Sequence, residues 1–205
     1  MSVWAIVVAA GSGDRFGGPK QYEPLGALRV LDWSLAAARE VCDGVVLVVH
    51  PERAGDPEPA ADVVVAGGLT RSSSVREGLA AVPPEAEVVL VHDAARPRGT
   101  VDLWRRVLQA VLEGADAVVP AVAVVDTLRE LDGGTVDRSR FVAVQTPQGF
   151  RSEALRDAHR TGAEGTDDAS LVEAVGGKVQ VVDGEPANTK ITTPYDLVAM
   201  RACIR

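Results

Sequence analysis

Short, continuous runs of Val, Ile, Leu and Ala alternate with longer stretches whose apolar residues recur at helical spacing. The runs predict strands at Trp4–Ala9, Val45–His50, Val63–Ala66, Val88–His92, Ala117–Val122 and Val179–Val182. They lack polar alternation, as befits strands covered on both faces. The longer stretches predict helices over Leu31–Glu40, Ser73–Ala81, Val101–Glu113, Ser152–Thr161, Asp168–Val175 and Pro194–Ala202. The last has its own start signal, with Thr193 as N-cap, Pro194 at the first helical position and Asp196 three residues after the cap. Alternating strands and helices predict an α/β fold, a mostly parallel twisted sheet with helices on both faces.

One segment breaks this rhythm. Asp126-Thr127-Leu128, a Gly133-Gly134 turn and a second extended run at Arg140–Val144 read as a protruding β-hairpin arm at about 124–144. Such an arm makes too few contacts to be stable alone, so it is expected to pack against a second subunit. Pro51–Pro59 reads as a surface loop and not as a boundary. The 205 residues are expected to form a single domain, 1–205. No fused second activity is expected, because the last helical pattern runs to the end of the chain.

Composition narrows the class. A net charge of −8 argues against nucleic acid or an anionic membrane as partner. No apolar stretch approaches the roughly 18 residues of a membrane span, and no basic region precedes the first apolar run. Val3–Ala10 is therefore read as a buried strand and not as a signal peptide. Cys42 and Cys203 show no metal or redox spacing, which suits a reducing cytoplasm. An acidic protein that handles phosphates must gather its cations locally.

The first strand feeds such a gathering. Ala10, Gly11, Ser12 and Gly13 are small enough for backbone N–H groups to approach a phosphate, and Arg15 and Lys20 follow in the same segment. The chain holds three lysines against 18 arginines, so Lys20 stands out as an ammonium where a guanidinium would be the habit. Two better-known loops do not fit. The dinucleotide fingerprint needs a glycine at Phe16. The Walker A loop matches Gly13 to Gly18 and then fails at Pro19, with Gln21 in place of the magnesium-binding hydroxyl.

Ligands of parallel α/β sheets gather beyond the carboxyl ends of the strands, and further candidates lie there. Gly67-Gly68 precede Arg71 and Ser72-Ser73-Ser74, whose hydroxyls are good N-caps at a helix start that also suits a nucleotide. Asp93 ends the fourth strand, placed to hold Mg²⁺, and Arg96 is spaced to clamp a phosphate. His92 is expected to pack under the strand end. Lys190 and, on the arm, Arg138 complete the cations, while Lys178 reads as a solvated turn residue. Asp167 and Asp168 most simply place acids in a helix's first turn. Thr146-Pro147-Gln148 reads as a rigid turn with the Gln amide free for a partner.

Together, AAGSGDRFGGPKQY, GGLTRSSSVREGL, VHDAARP, VVDT, VDR, QTPQGF, TDDASLVE and NTKITTPYDL resemble, in order and nearly end to end, the 2-C-methyl-D-erythritol 4-phosphate cytidylyltransferases of non-mevalonate isoprenoid synthesis. The resemblance implies a Rossmann-like nucleotidyltransferase fold, a homodimer joined through the arm, CTP and magnesium. It implies CTP contacts at Ala10, Gly11, Ser12, Gly13, Gly68, Ser74, Asp93 and Ala94. It places Arg15, Lys20 and Lys190 around the triphosphate and its transition state. It gives Arg96, Thr127 and Arg138 to the sugar phosphate, the last two reaching in from the partner's arm. Two departures stand out: Arg15 and Lys20 are five apart where many members have about seven, and Leu69 stands where a polar residue is common. A cytidylyltransferase for another polyol phosphate, such as ribitol 5-phosphate, is the alternative within the enzyme class. A non-catalytic nucleotide-binding subunit is the alternative outside it.

Overall fold

The computed structural model describes residues 1–204. In chain order its elements are β1 (Val3–Ala9), β2 (Pro24–Leu25), β3 (Leu28–Arg29), α1 (Val30–Arg39), β4 (Gly44–Val49), β5 (Val63–Ala66) and α2 (Arg71–Ala81). Then come β6 (Val88–Asp93), α3 (Val101–Leu112), β7 (Ala117–Ala123), β8 (Val142–Val144), β9 (Gln148–Arg151), α4 (Ser152–His159), α5 (Asp168–Ala174), β10 (Val179–Asp183) and α6 (Pro194–Cys203). Eight strands form one sheet with the path β10-β7-β9-β6-β1-β4-β5, and β8 pairs with β7 off that path. β1 lies parallel to both β4 and β6, β5 to β4, and β10 to β7. The strands read from apolar runs therefore all point one way.

Both faces of the sheet are covered, as the absence of polar alternation requires. Along β1, Ala5, Val7 and Ala9 enter the core beneath Leu31 and Leu35 of α1 and Trp104 and Val107 of α3. Ile6 points the other way, into a core with Val75 and Leu79 of α2, Leu155 of α4 and Leu171 of α5. Each such fully buried Leu or Val is worth about 1.5–3 kcal/mol, so the two cores supply most of the driving force. A third, smaller core joins Leu25 of β2 and Val30 of α1 to Ile191, Leu197 and Met200, with Phe16 packed on it. α6 starts as the sequence predicts, with Thr193 and Asp196 bonding each other's backbone N–H in a capping box.

Two expectations need correction. Gln148 does not end a turn. It opens β9, an antiparallel strand between β6 and β7, and its amide is already engaged: Nε2 donates to Asp167 at 2.9 Å. Four residues containing a glycine and an arginine (QGFR) carry too little apolar pattern to announce a central strand. The arm is an antiparallel excursion as expected, but its first strand is the end of β7 and not Asp126–Leu128. Its second run does become extended as β8, but β8 pairs with the end of β7 through Ala121, Val122 and Ala123. Beyond that base, pairing is limited to one isolated bridge, Arg129 to Thr135, and a 3-10 turn at Arg138–Arg140. Asp126 and Thr127 are exposed and have no sheet neighbour against which a strand could form.

Gly78, inside α2, is a sensitive point of the packing between helix and sheet. A Cβ there would lie 2.6 Å from Ile6 Cγ2 and 2.8 Å from Val48 Cγ2. Helix propensity alone favours alanine by about 1 kcal/mol, whereas overpacking a core costs about 1–3 kcal/mol. Gly78→Ala is expected to lower the urea midpoint; a raised midpoint would mean the sheet yields and propensity wins.

Candidate active site

The loop after β1 is held by its own backbone. Gly13 has φ +78°, and a Cβ on it would sit 1.8 Å from the Gly18 carbonyl oxygen, so only glycine fits. The Gly13 carbonyl accepts from the N–H groups of Phe16 at 2.8 Å and Gly17 at 2.9 Å, and the Lys20 N–H donates to Gly18 O at 2.8 Å. The segment is thus a closed turn that delivers Lys20 at the start of a 3-10 turn, Lys20–Tyr22. Gln21, buried beneath, donates to the carbonyls of Ala9 at 2.7 Å and Gly11 at 3.2 Å and ties the loop to β1. The five-residue spacing of Arg15 and Lys20 is what this tight closure accommodates. Partial burial lowers the Lys20 pKa below the ordinary lysine value, and the Lys190 and Arg15 charges lower it further.

The facing loop, between β5 and α2, approaches within contact. A Cβ on Gly67 would lie 2.3 Å from the Ala10 Cβ and 2.9 Å from Ser74 Oγ. Two small residues here let the loops meet. The serines predicted as caps lie inside the helix; the cap is Thr70, whose Oγ1 accepts from Ser73 N at 3.0 Å. Ser74 Oγ donates to Thr70 O at 2.8 Å. Leu69 is wholly exposed at this rim.

Asp93, at the end of β6, lies between these loops and is nearly buried. Lys190 Nζ stands 2.6 Å from its Oδ2, Arg71 Nε 3.4 Å from Oδ1, and Arg96 Nε 3.9 Å from Oδ2. Burial alone would raise the carboxyl pKa; Lys190 and Arg71, joined by Arg96, outweigh it and hold the group well below the usual carboxylate range. Arg71 also meets Asp168 at 2.7 Å, and the fully buried Asp168 lies 3.0 Å from His159 Nε2. Lys190 is aimed by its neighbours: the buried Ile191 donates its N–H to Ala95 O at 2.8 Å, and Asn188 Nδ2 donates to Thr146 O at 2.9 Å.

His92 packs beneath, as expected, with its ring 4.9 Å from that of Trp104. Nε2 faces the Arg96 carbonyl at 3.1 Å and Nδ1 faces Thr146 Oγ1 at 3.1 Å. A carbonyl only accepts, so the proton belongs on Nε2.

A cavity of about 570 Å³ gathers much of this. Of the residues singled out in the sequence, Ala10, Gly11, Ser12, Lys20, Gly68, Ser74, Asp93, Ala94 and Lys190 line it. Gly13 shapes the loop from below, and Arg15 is exposed beside it. Arg96 is no free clamp: its Nη1 donates to the Asn188 carbonyl at 2.8 Å. Thr127 and Arg138 are exposed on the arm, away from the cavity lining, and Arg138 Nη1 donates to the Val125 carbonyl. Lining residues not assigned a role from sequence include Arg71, Gln21 and His50. Arg71 could have been found from its place at the helix start after Gly-Gly; Gln21 and His50 carry no such signal.

Among the described residues, no group of three or more His, Cys, Asp or Glu side chains could hold a metal ion, and no helix is long and apolar enough to cross a membrane.

A family model, IspD, 2-C-methyl-D-erythritol 4-phosphate cytidylyltransferase, matches residues 3–205. The chain is 43% identical over 214 residues to the 2-C-methyl-D-erythritol 4-phosphate cytidylyltransferase of Thermus thermophilus, covering 100% of this chain and 98% of that protein. It is 43% identical over 232 residues to the bifunctional enzyme IspD/IspF of Nitratidesulfovibrio vulgaris, covering 98% of this chain but 58% of the relative. The chain thus spans little more than half the length of that bifunctional relative. The crystal structure of the Thermus thermophilus enzyme superposes with a TM-score of 0.86 at 40% identity, covering 100% of both chains.

The buried imidazole has a consequence for acid stability. Burial pushes the His92 pKa from 6.5 down to about 4. Between those values the unfolded chain binds a proton that the folded chain refuses, so stability falls as pH drops from about 6.5 to about 4. Asp93 adds a loss only below the ordinary carboxylate value. His92→Gln should flatten the fall of the urea midpoint across that window; an unaltered slope would assign it to another group.

Proposed function

The chain belongs to the 2-C-methyl-D-erythritol 4-phosphate cytidylyltransferase family, and from that membership we propose that it transfers a cytidylyl group from CTP to 2-C-methyl-D-erythritol 4-phosphate. The products would be 4-diphosphocytidyl-2-C-methyl-D-erythritol and pyrophosphate, on the non-mevalonate route to isoprenoids. The observation that carries this reading is the convergence of Lys20, Lys190 and Arg71 on one cavity in a protein of net charge −8.

The chemistry follows from charge. A phosphate oxygen of the sugar phosphate, already anionic at neutral pH, attacks the α-phosphorus of CTP. The bond from that phosphorus to the bridging oxygen of pyrophosphate breaks, and the leaving group takes the electron pair. No general base is needed, and the cavity presents no carboxylate free of cations to act as one. What the chain must supply is positioning of two polyanions and stabilisation of charge on the α-phosphate. Lys20 and Lys190 meet that charge from opposite loops, with Arg15 beside Lys20. Backbone N–H groups of Ala10, Gly11 and Ser12 cradle the triphosphate, while Gly68, Ser74 and Ala94 border the nucleoside.

Magnesium fits this donor set as a companion of the triphosphate. Among the described residues, Asp93 is the only carboxylate lining the cavity, and Mg²⁺ commonly takes one or two carboxylates and completes its shell with phosphate oxygens and water. Asp93 would be the protein's contact, and the bound ion would neutralise phosphate charge. We also propose a homodimer in which the arm of one subunit brings Thr127 and Arg138 to the sugar phosphate of its partner, with Arg96 nearby, working in the cytoplasm. The support is the arm itself: Val125, Leu131, Phe141 and Val142 are exposed apolar residues on a segment with few internal contacts.

Pyrophosphate release from CTP should require the sugar phosphate, with methylerythritol phosphate preferred over ribitol 5-phosphate. Release without any acceptor, or preference for ribitol 5-phosphate, overturns the assignment. Lys20→Ala should cost about 3 kcal/mol or more of transition-state stabilisation, roughly 150-fold in kcat, as for comparable preorganised donors; near-normal turnover would remove Lys20 from that role. Chelation by EDTA should abolish activity and added Mg²⁺ restore it. Mixing inactive Arg138→Ala and Lys20→Ala subunits should regain roughly a quarter of wild-type activity, because half the dimers carry one intact site. No recovery would mean that Arg138 serves its own subunit.

A further inference from the structure

Behind the cavity wall lies a chain of paired charges that the transfer chemistry does not itself call for. Lys190, Asp93, Arg71, Asp168 and His159 follow one another at 2.6, 3.4, 2.7 and 3.0 Å. Lys190, Asp93 and Arg71 line the cavity, whereas Asp168 and His159 do not. Asp168 has no exposed surface at all, and its two oxygens are divided between Arg71 and His159.

A fully buried carboxylate costs several kcal/mol of desolvation in real proteins and persists only where partners compensate it. The surroundings of Asp168 are correspondingly rigid. Asp167 caps α5 by accepting from Ser170 N at 3.0 Å, and Gln148 of β9 grips Asp167 at 2.9 Å. Asp168 is therefore fixed to the sheet through β9, not carried on a loop. Across the cavity wall, Arg71 directs Nη1 to Asp168 and Nε to Asp93, while its Nη2 is buried without a hydrogen-bond partner.

We propose that Asp168 is a positioning residue for cytidylyl transfer, acting through Arg71 to hold the Asp93–Lys190 pair in register with the reacting phosphate. The inference rests on the transfer reading given above. Asp168 keeps Arg71 from closing fully onto Asp93. Held at 3.4 Å on one oxygen, Arg71 leaves the other oxygen to Lys190 at 2.6 Å. Without the rear carboxylate, the guanidinium has a single anion within reach, and the fork geometry of arginine favours taking both its oxygens. Lys190 would then lose the partner that aims it.

The test is a cycle of Asp168→Asn, Arg71→Met and the double variant. kcat and KM are measured for both substrates in the full chain, at a temperature where circular dichroism shows native structure. Asp168→Asn preserves volume and removes charge. It should lower kcat about 10-fold or more with KM for CTP changed less than about 3-fold, the pattern of an interaction realised in the transition state. In the Arg71→Met background it should change kcat by less than about 2-fold, because residues acting in series are not additive. The double variant removes both buried charges, so it remains measurable if Asp168→Asn alone does not fold. Unimpaired turnover by Asp168→Asn overturns the proposal. So does a loss of the same factor in both backgrounds. Failure of the unmutated chain to release pyrophosphate removes the transfer reading and the proposal with it, whereas a normal unmutated chain with an unimpaired Asp168→Asn removes the proposal alone.

Discussion

The ion pair between Asp93 and Lys190 is the contact on which the rest of this molecule converges. It joins the end of β6, at the sheet's centre, to a segment 97 residues further along that crosses the strand ends just before α6. One side is fixed by the sheet: Asp93 N donates to Thr146 Oγ1 at 3.0 Å, the same hydroxyl that meets His92. The other side is fixed by burial of Ile191 in the small third core. Two rigid anchors with one short ionic contact between them make a defined site, because neither side chain can wander without leaving a nearly buried carboxylate uncompensated.

That contact also explains the use of glycine and alanine around it. The loops after β1 and β5 come together to wall the cavity, and the near-collision of Gly67 with the Ala10 Cβ marks how close they come. Closure of the first loop onto Gly13 then sets the height of Lys20, and Phe16 pins the same loop to the core under α6. The cations are thus mounted on three separate chain segments, each with its own anchorage.

Much of this was legible in the sequence, and the remainder was hidden for physical reasons. Continuous apolar runs identify the parallel strands because burial on both faces leaves no polar alternation to confuse them. The capping box of α6 is legible because its signal is local. β9 was not, since its place between β6 and β7 comes from pairing with strands distant in sequence and not from its own four residues. The roles of Arg71 and Asp168 were hidden in the same way: each looks like an ordinary residue of a helix's first turn until the fold brings them within 2.7 Å across 97 positions. Arg96 shows the converse. Its spacing from Asp93 suggests a phosphate clamp, but a backbone carbonyl of the Lys190 segment already occupies one arm of its guanidinium.

The electrostatics of the cavity favour a polyanion over any smaller charge. Lys20 has its pKa depressed by desolvation and by two neighbouring cations, Lys190 and Arg15, so like charges are held together at a cost that an incoming anion relieves. Asp93 offsets only part of it, because its charge is shared among Lys190, Arg71 and Arg96. A polyanion carries enough charge to meet Lys20 and Arg15 while Lys190 stays paired with Asp93. An anion bound between these loops favours the charged form of Lys20, because it offsets the repulsion from Lys190 and Arg15.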